Sequence, residues 1–266
     1  SNDFEIARVI TVDKNSFIIT EGKREIISEV SGRFIFNAVS PLDYPAVGDW
    51  VYVQYFNENT FAVIHEIFPR RTLLKRKTAG KKIEFQVIAS NIDTAMIIQS
   101  LDHDYNLRRL ERYLVMVLES EIRPIVLLSK SDLLSPLEID KKIKAIQNDM
   151  PDIQIEAFSN TVDSSLERVK ELLFPGKTFC LLGSSGVGKT TLINKLMDED
   201  LYKTQSIREK DNKGRHTTAR RQLIVLKNGA MIIDTPGMRE LGNIEVDSGL
   251  QDTFKEITEL AVQCRY

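Results

Sequence analysis

Hydrophobic positions change their rhythm once along this chain. Through about residue 68 they come in short β-branched or aromatic runs: Ile6–Ile10, Ser16–Thr20, Phe34–Phe36, Trp50–Tyr55 and Phe61–Ile64. Turn signals separate them, among them Glu21-Gly22, Ser31-Gly32, Val47-Gly48-Asp49 and Asn57-Glu58-Asn59. Five short strands in under seventy residues predict a small barrel of the oligonucleotide-binding (OB) type, although an SH3-like barrel would give the same pattern. From Phe85 onward, strands alternate with helices. Strands are expected at 93–99, 123–128, 153–157, 178–182 and 230–234, and helices at 107–118, 139–150, 166–173 and 191–197. That alternation predicts a mostly parallel sheet covered on both faces, with any ligand at the carboxyl ends of the strands. The expected organisation is a barrel over 1–70, a linker over 71–84, an α/β domain over 85–245 and a helical segment over 246–266.

The linker changes the picture of charge. Pro69 to Lys82 is basic throughout and contains no acid. Such a run is commonly a solvated face, but beside an OB-type barrel it also suits the phosphates of RNA. The whole chain, at net charge -2, 42% hydrophobic and 28% charged, does not have the balance of a protein that coats nucleic acid. Its 266 residues suffice for two cores. No apolar run approaches the roughly eighteen residues of a membrane span. Two cysteines, Cys180 and Cys264, make no disulfide framework and fit a reducing cytoplasm. Ser1-Asn2-Asp3, without a methionine or a leader, reads as the scar of a cleaved tag.

The chemistry centres on Gly183-Ser184-Ser185-Gly186-Val187-Gly188-Lys189-Thr190, followed by Thr191. Set between an apolar strand and a helix, it is a complete phosphate-binding loop. Its glycines let backbone N–H groups point inward at an anion, and the helix start adds partial positive charge. Lys189 would reach the β- and γ-phosphates, and the Thr190 hydroxyl would sit on a magnesium ion. Ala230 to Gly237 supplies a strand ending in Asp-Thr-Pro-Gly, placed 45 residues after Lys189 (234 minus 189). Asp234 would hold magnesium through water and the Gly237 N–H would bond the γ-phosphate. For guanine, the strand 125–128 runs into Ser129-Lys130-Ser131-Asp132, with Asp132 placed to read the base edge and Lys130 to stack on the ring. The base-reading element thus precedes the phosphate element, the order of a circularly permuted GTPase. Ser129, standing where an Asn is usual, is expected to remove an amide that ties this loop to the phosphate loop, and so to weaken nucleotide binding. The polar stretch Asp198–Gln222 reads as a switch loop. Thr217 or Thr218 would complete the magnesium shell, and His216 would touch the attacking water. Met238 stands where a water-orienting Gln is frequent, so intrinsic turnover should be slow and partner-dependent. A P-loop ATPase or kinase, and an RNA-binding nucleotide switch with negligible hydrolysis, remain open on these residues.

Several stretches together resemble the ribosome small subunit-dependent GTPase A family (RsgA/YjeQ). They are Ala46-Val47-Gly48-Asp49-Trp50-Val51, Ile88 to Asp93, Asn106 to Leu114, the phosphate loop, Gly214-Arg215-His216-Thr217-Thr218 and Asp234-Thr235-Pro236-Gly237-Met238. The resemblance covers essentially the whole chain. It implies a permuted GTPase with GTP/GDP and Mg2+ as ligands, late maturation of the small ribosomal subunit as its task, and stimulation by that subunit. It also implies a barrel that contacts ribosomal RNA; with the cysteine usage and the lack of a long apolar run, a cytoplasmic location, no membrane partner and a monomer are expected. A family loop near the base is echoed by Ser159 and Asn160 after the 153–157 strand. Family members end in a Cys/His zinc domain, whose first ligand aligns with Cys264. The chain stops two residues later at Tyr266, so Zn2+ is expected only in a longer chain.

Overall fold

The computed structural model describes residues 4–13, 16–77, 85–197 and 221–235. The first unit is a closed barrel of β1 (Glu5–Val12), β2 (Phe17–Thr20), β3 (Glu25–Val30), β4 (Trp50–Phe56) and β5 (Phe61–Ile67). Its order is β1-β2-β3-β5-β4, closed by β1 against β4, and antiparallel except where β3 meets β5. Val9, Ile19, Ile26, Val51, Val53, Ala62 and Ile64 fill the interior. One of the five expected strands is in a different place. Phe34–Phe36 lies in helix α1 (Gly32–Asn37), while Glu25–Val30 is the strand. Glu25–Val30 alternates exposed and buried positions, and the Ser31 hydroxyl then accepts from the Phe34 N–H to start the helix.

The stretch read as a linker is not open chain. Leu73–Lys77 forms β6, paired antiparallel with β7 (Phe85–Ser90), and Leu74 is fully buried. Basic side chains hid it from the pattern, because three of its five residues are Lys or Arg and, among those described, only Leu74 is fully buried.

The second unit follows as β8 (Thr94–Ser100), α2 (Leu107–Glu119), β9 (Arg123–Ser129), α3 (Pro136–Asp149), β10 (Gln154–Ala157), α4 (Asp163–Glu171), β11 (Thr178–Leu182), α5 (Lys189–Leu196), β12 (Gln222–Val225) and β13 (Met231–Asp234). The sheet order is β10-β9-β8-β11-β13-β12, parallel except for β12 at the edge. β8 and β11 are buried at every position, as central strands covered on both faces must be. Leu110, Leu114 and Ile146 from α2 and α3 pack on one face; Leu166, Val169, Leu192 and Ile193 from α4 and α5 pack on the other. Helix starts follow local chemistry. Asn106 caps α2 through the Arg109 N–H, and α3 opens with Pro136 inside a Ser135–Glu138 capping box, three residues earlier than its apolar spacing suggested.

The two units are joined firmly. Buried Arg8 of β1 donates to Thr178 Oγ1 at 2.8 Å, to Gly48 O at 3.3 Å and to Asn91 O at 3.4 Å, with its guanidinium 5.1 Å from the centre of the Trp50 ring. Burial lowers its pKa to about 10. Asn91 donates to Gly48 O and accepts from the Arg71 N–H. Asp49 is paired with Arg70 at 2.7 Å. Gly48, at φ +97°, is obligatory here, since a Cβ would lie 2.2 Å from Ser90 O. One further pairing, Thr11 with Gln222, stitches β1 to β12.

Candidate nucleotide-binding site

The sheet turns a reversed chain order into one contiguous site. β11, which ends in the phosphate loop, lies between β8 and β13, and β9, which ends in the loop expected to read the base (the base loop), lies next to β8. All of these strands run the same way, so their loops open on one edge.

The phosphate loop takes its path from its glycines. Gly183, Gly186 and Gly188 have φ of +144°, +82° and +97°. A Cβ on Gly183 would lie 2.4 Å from Ile98 O, so the loop leaves β11 against the backbone of β8. Above Gly186 the space is open. Lys189 opens α5 and folds back, with Nζ 2.6 Å from Gly183 O and 2.6 Å from Ser184 O. Thr190 and Thr191, on the first turn of that helix, are exposed, as are Ser185 and Gly186.

The base loop is fastened to the phosphate loop directly. Ser129, fully buried, donates its hydroxyl to Val187 O at 2.7 Å. This corrects the expectation that a serine here breaks the tie: the hydroxyl at the end of β9 is close enough to reach the phosphate loop's backbone by itself. Lys130 adopts φ +59°, and a short 3-10 turn carries Asp132, which is exposed. Ser131 N–H donates to Phe158 O, tying this loop to the one after β10. There Ser159 is buried and shares a hydrogen bond with Thr161 at 2.7 Å, while Asn160 Nδ2 lies 3.4 Å from Gly188 O. Asn160 Oδ1 is buried without a hydrogen-bond partner among the described residues.

Asp234 ends β13 opposite Leu181 of β11, beside the phosphate loop. Burial raises its carboxyl pKa, and the charge of Lys189 works against that rise. Thr235 donates to Leu181 O and pins the strand end. His216, Thr217, Thr218, Gly237, Met238 and Cys264 lie outside the described residues.

A further loop belongs to the site and was not among the expected residues. After β8, Asp102 accepts from Lys130 Nζ at 2.5 Å and Asp104 accepts from Ser184 Oγ at 2.9 Å. The hydrogen bond from Lys130 keeps the Asp102 carboxyl well below the usual carboxylate range. Their one sequence signal is position: two acids just past a strand that the topology places between the base strand and the phosphate strand.

No helix among the described residues is long and apolar enough to cross a membrane, and no group of three or more His, Cys, Asp or Glu among them is arranged to hold a metal. A magnesium ion needs no such cage, since it keeps water and takes one or two protein oxygens along with phosphates. Thr190 and Asp234 are hard oxygen donors and fit it.

The family described as RsgA GTPase matches residues 67–244. A protein of Lactiplantibacillus plantarum named small ribosomal subunit biogenesis GTPase RsgA 2 is 43% identical over 249 residues, covering 94% of this chain and 68% of that protein. One of Opitutus terrae, named small ribosomal subunit biogenesis GTPase RsgA, is 38% identical over 276 residues, covering 100% and 74%. Among solved structures, YjeQ from Thermotoga maritima superposes with a TM-score of 0.66 at 21% identity over 88% of this chain and 75% of that one. YloQ, described as a circularly permuted GTPase, superposes at 0.65 and 23% identity over 99% and 82%, so the likeness to both is one of fold. The phosphate loop, the permuted strand order and the match across most of the sequence agree: this chain belongs to the RsgA GTPase family.

Proposed function

We propose that this chain hydrolyses GTP to GDP and phosphate during maturation of the small ribosomal subunit, in the cytoplasm, with the subunit as its activator. The observation that carries the reading is the bond from Ser129 to Val187 O, which fixes the base loop on the phosphate loop despite the reversed chain order. Asp132 then reads the guanine edge, Lys130 covers the ring, and Ser159 and Asn160 flank the base. Asn160 Oδ1, buried and unpaired among the described residues, suits a site that a ligand completes.

Backbone N–H groups of residues 183–191 cradle the phosphates. Lys189 gives up the Gly183 and Ser184 carbonyls for β- and γ-phosphate oxygens, placing its charge where negative charge builds in the transition state. Thr190 and Asp234 would hold magnesium, which when bound neutralises the phosphate oxygens. Water attacks the γ-phosphorus in line; its bond to the β–γ bridging oxygen breaks and GDP leaves. Thr217, Thr218, His216 and Gly237 are proposed to close over the γ-phosphate. The barrel and the basic strand β6 are proposed to meet ribosomal RNA. A zinc site including Cys264 is proposed only for a longer chain.

The test is hydrolysis of GTP and XTP, with and without purified small subunits, by the wild type and by Asp132→Asn. GTP turnover should rise with subunits in the wild type, and the variant should prefer XTP. Unchanged preference for GTP in the variant would remove Asp132 from base recognition, and turnover indifferent to subunits would remove the activator.

A further inference from the structure

The loop Leu101–Asn106 sits at the carboxyl end of β8, between the strand that carries the base loop and the strand that carries the phosphate loop. It touches both. Asp102 Oδ2 accepts from Lys130 Nζ at 2.5 Å, while its Oδ1 accepts from Ser100 Oγ at 2.7 Å and from the Asp104 N–H at 3.0 Å. Asp104 Oδ2 accepts from Ser184 Oγ at 2.9 Å, and Arg109 grips both carboxylate oxygens at 3.2 and 2.8 Å. The Gln99 amide holds the Asp104 carbonyl at 3.1 Å. Each carboxylate is therefore oriented by other groups before it meets the residue of the site.

We propose that this loop is a strap that positions the two halves of the nucleotide site: Asp102 fixes the far end of Lys130 so that its stem lies over the base, and Asp104, held by Arg109, fixes Ser184 at the front of the phosphate loop. The proposal rests on the reading of Lys130 and Asp132 as the guanine-binding pair. Its physical basis is entropy. A lysine has four rotatable bonds, and a stem left free must be ordered each time a base arrives. With the backbone set at φ +59° and the ammonium anchored, that ordering is done in the folded protein. The carboxylate makes no demand on which purine is present, so the strap contributes affinity and leaves discrimination between bases to Asp132.

The test is a double-mutant cycle read by equilibrium titration of the full chain with a fluorescent GDP. Asp102→Asn and Lys130→Ala should each weaken GDP roughly tenfold, about what loss of one charge-assisted hydrogen bond gives. The double variant should bind no more weakly than Lys130→Ala alone. Factors that multiply to about a hundredfold, or no effect of Asp102→Asn, would overturn the proposal. A merely structural role predicts equal losses with and without Lys130, so the cycle separates the two. Asp102→Glu, which keeps the carboxylate, should recover most of the affinity; recovery no better than with Asn would count against an ion-pair anchor. In the Asp132→Asn background, titrated with fluorescent XDP, Asp102→Asn should cost the same factor, and a different factor would mean that Asp102 reads the base edge. If Asp132→Asn fails to move preference from GDP to XDP at all, the guanine assignment falls instead. For the phosphate half, Asp104→Asn and Ser184→Ala should be non-additive in the same way, with multiplying factors overturning that arm.

Discussion

The same two strands, β11 and β13, meet very different surroundings at their two ends. At the amino ends, polar groups are matched within the protein. Thr178 accepts from Arg8 through its hydroxyl and donates its N–H to Asp93 at 2.8 Å, Asn91 satisfies Gly48 and Arg71, and Asp49 is closed by Arg70. At the carboxyl ends, five residues away along β11, the matches are provisional or missing. Lys189 rests on two backbone carbonyls, Asn160 Oδ1 is buried and unpaired among the described residues, Thr190 is exposed, and Asp234 carries a raised pKa from burial. The contrast shows how one sheet serves as frame and as site. A joint between domains is stable when its buried donors and acceptors are all used. A binding edge must leave them exchangeable, so that ligand atoms can take over.

Paired glycine substitutions sharpen this most. Gly183→Ala forces a Cβ to 2.4 Å from Ile98 O at φ +144°, and Gly48→Ala forces one to 2.2 Å from Ser90 O at φ +97°. Each should cost about 1–3 kcal/mol or more in chemical denaturation. Only Gly183→Ala should also abolish GDP binding by the remaining folded protein; equal loss of binding in Gly48→Ala would mean that the two ends are not separable.

Asp234→Asn should divide function from stability. A folded-state pKa above the unfolded value means that the group's stabilising contribution is full below the unfolded pKa and is lost as pH rises through the folded one. Near neutral pH the ionised carboxylate is therefore a liability without ligand. The nucleotide-free variant should melt at a higher temperature than the wild type at pH 7, with the gap closing as pH falls, while magnesium-dependent turnover drops about 10²-fold or more. A lower melting temperature at pH 7 would show that the carboxylate is matched within the protein after all.

The smallest expected effect is that of Ser129→Ala. Losing the 2.7 Å bond leaves Val187 O without that donor, worth about 1 kcal/mol, or roughly fivefold in GDP affinity by titration. No change would return the site to the expectation that serine makes no tie.

Local rules carried the sequence reading a long way. Glycine spacing marked the phosphate loop, strand–helix alternation gave the parallel sheet, and the order of Asp132 before Lys189 gave the permutation. Where an element's identity depended on partners, the reading slipped. Phe34–Phe36 has strand composition, yet the Ser31 cap makes it helical, and Glu25–Val30 became a strand by pairing with β2 and β5. Basic residues disguised β6 until β7 lay beside it. By itself, then, the sequence determined where the glycine-rich loop lies and which residues are proposed to bear the phosphate chemistry, because that loop is built from neighbours in the chain. Only tertiary structure decided that Ser129 reaches Val187 across 58 positions, that Asp104 reaches Ser184 across 80 and that Arg8 reaches Thr178 across 170. Such contacts depend on which strands the sheet sets side by side, and no local periodicity records that choice.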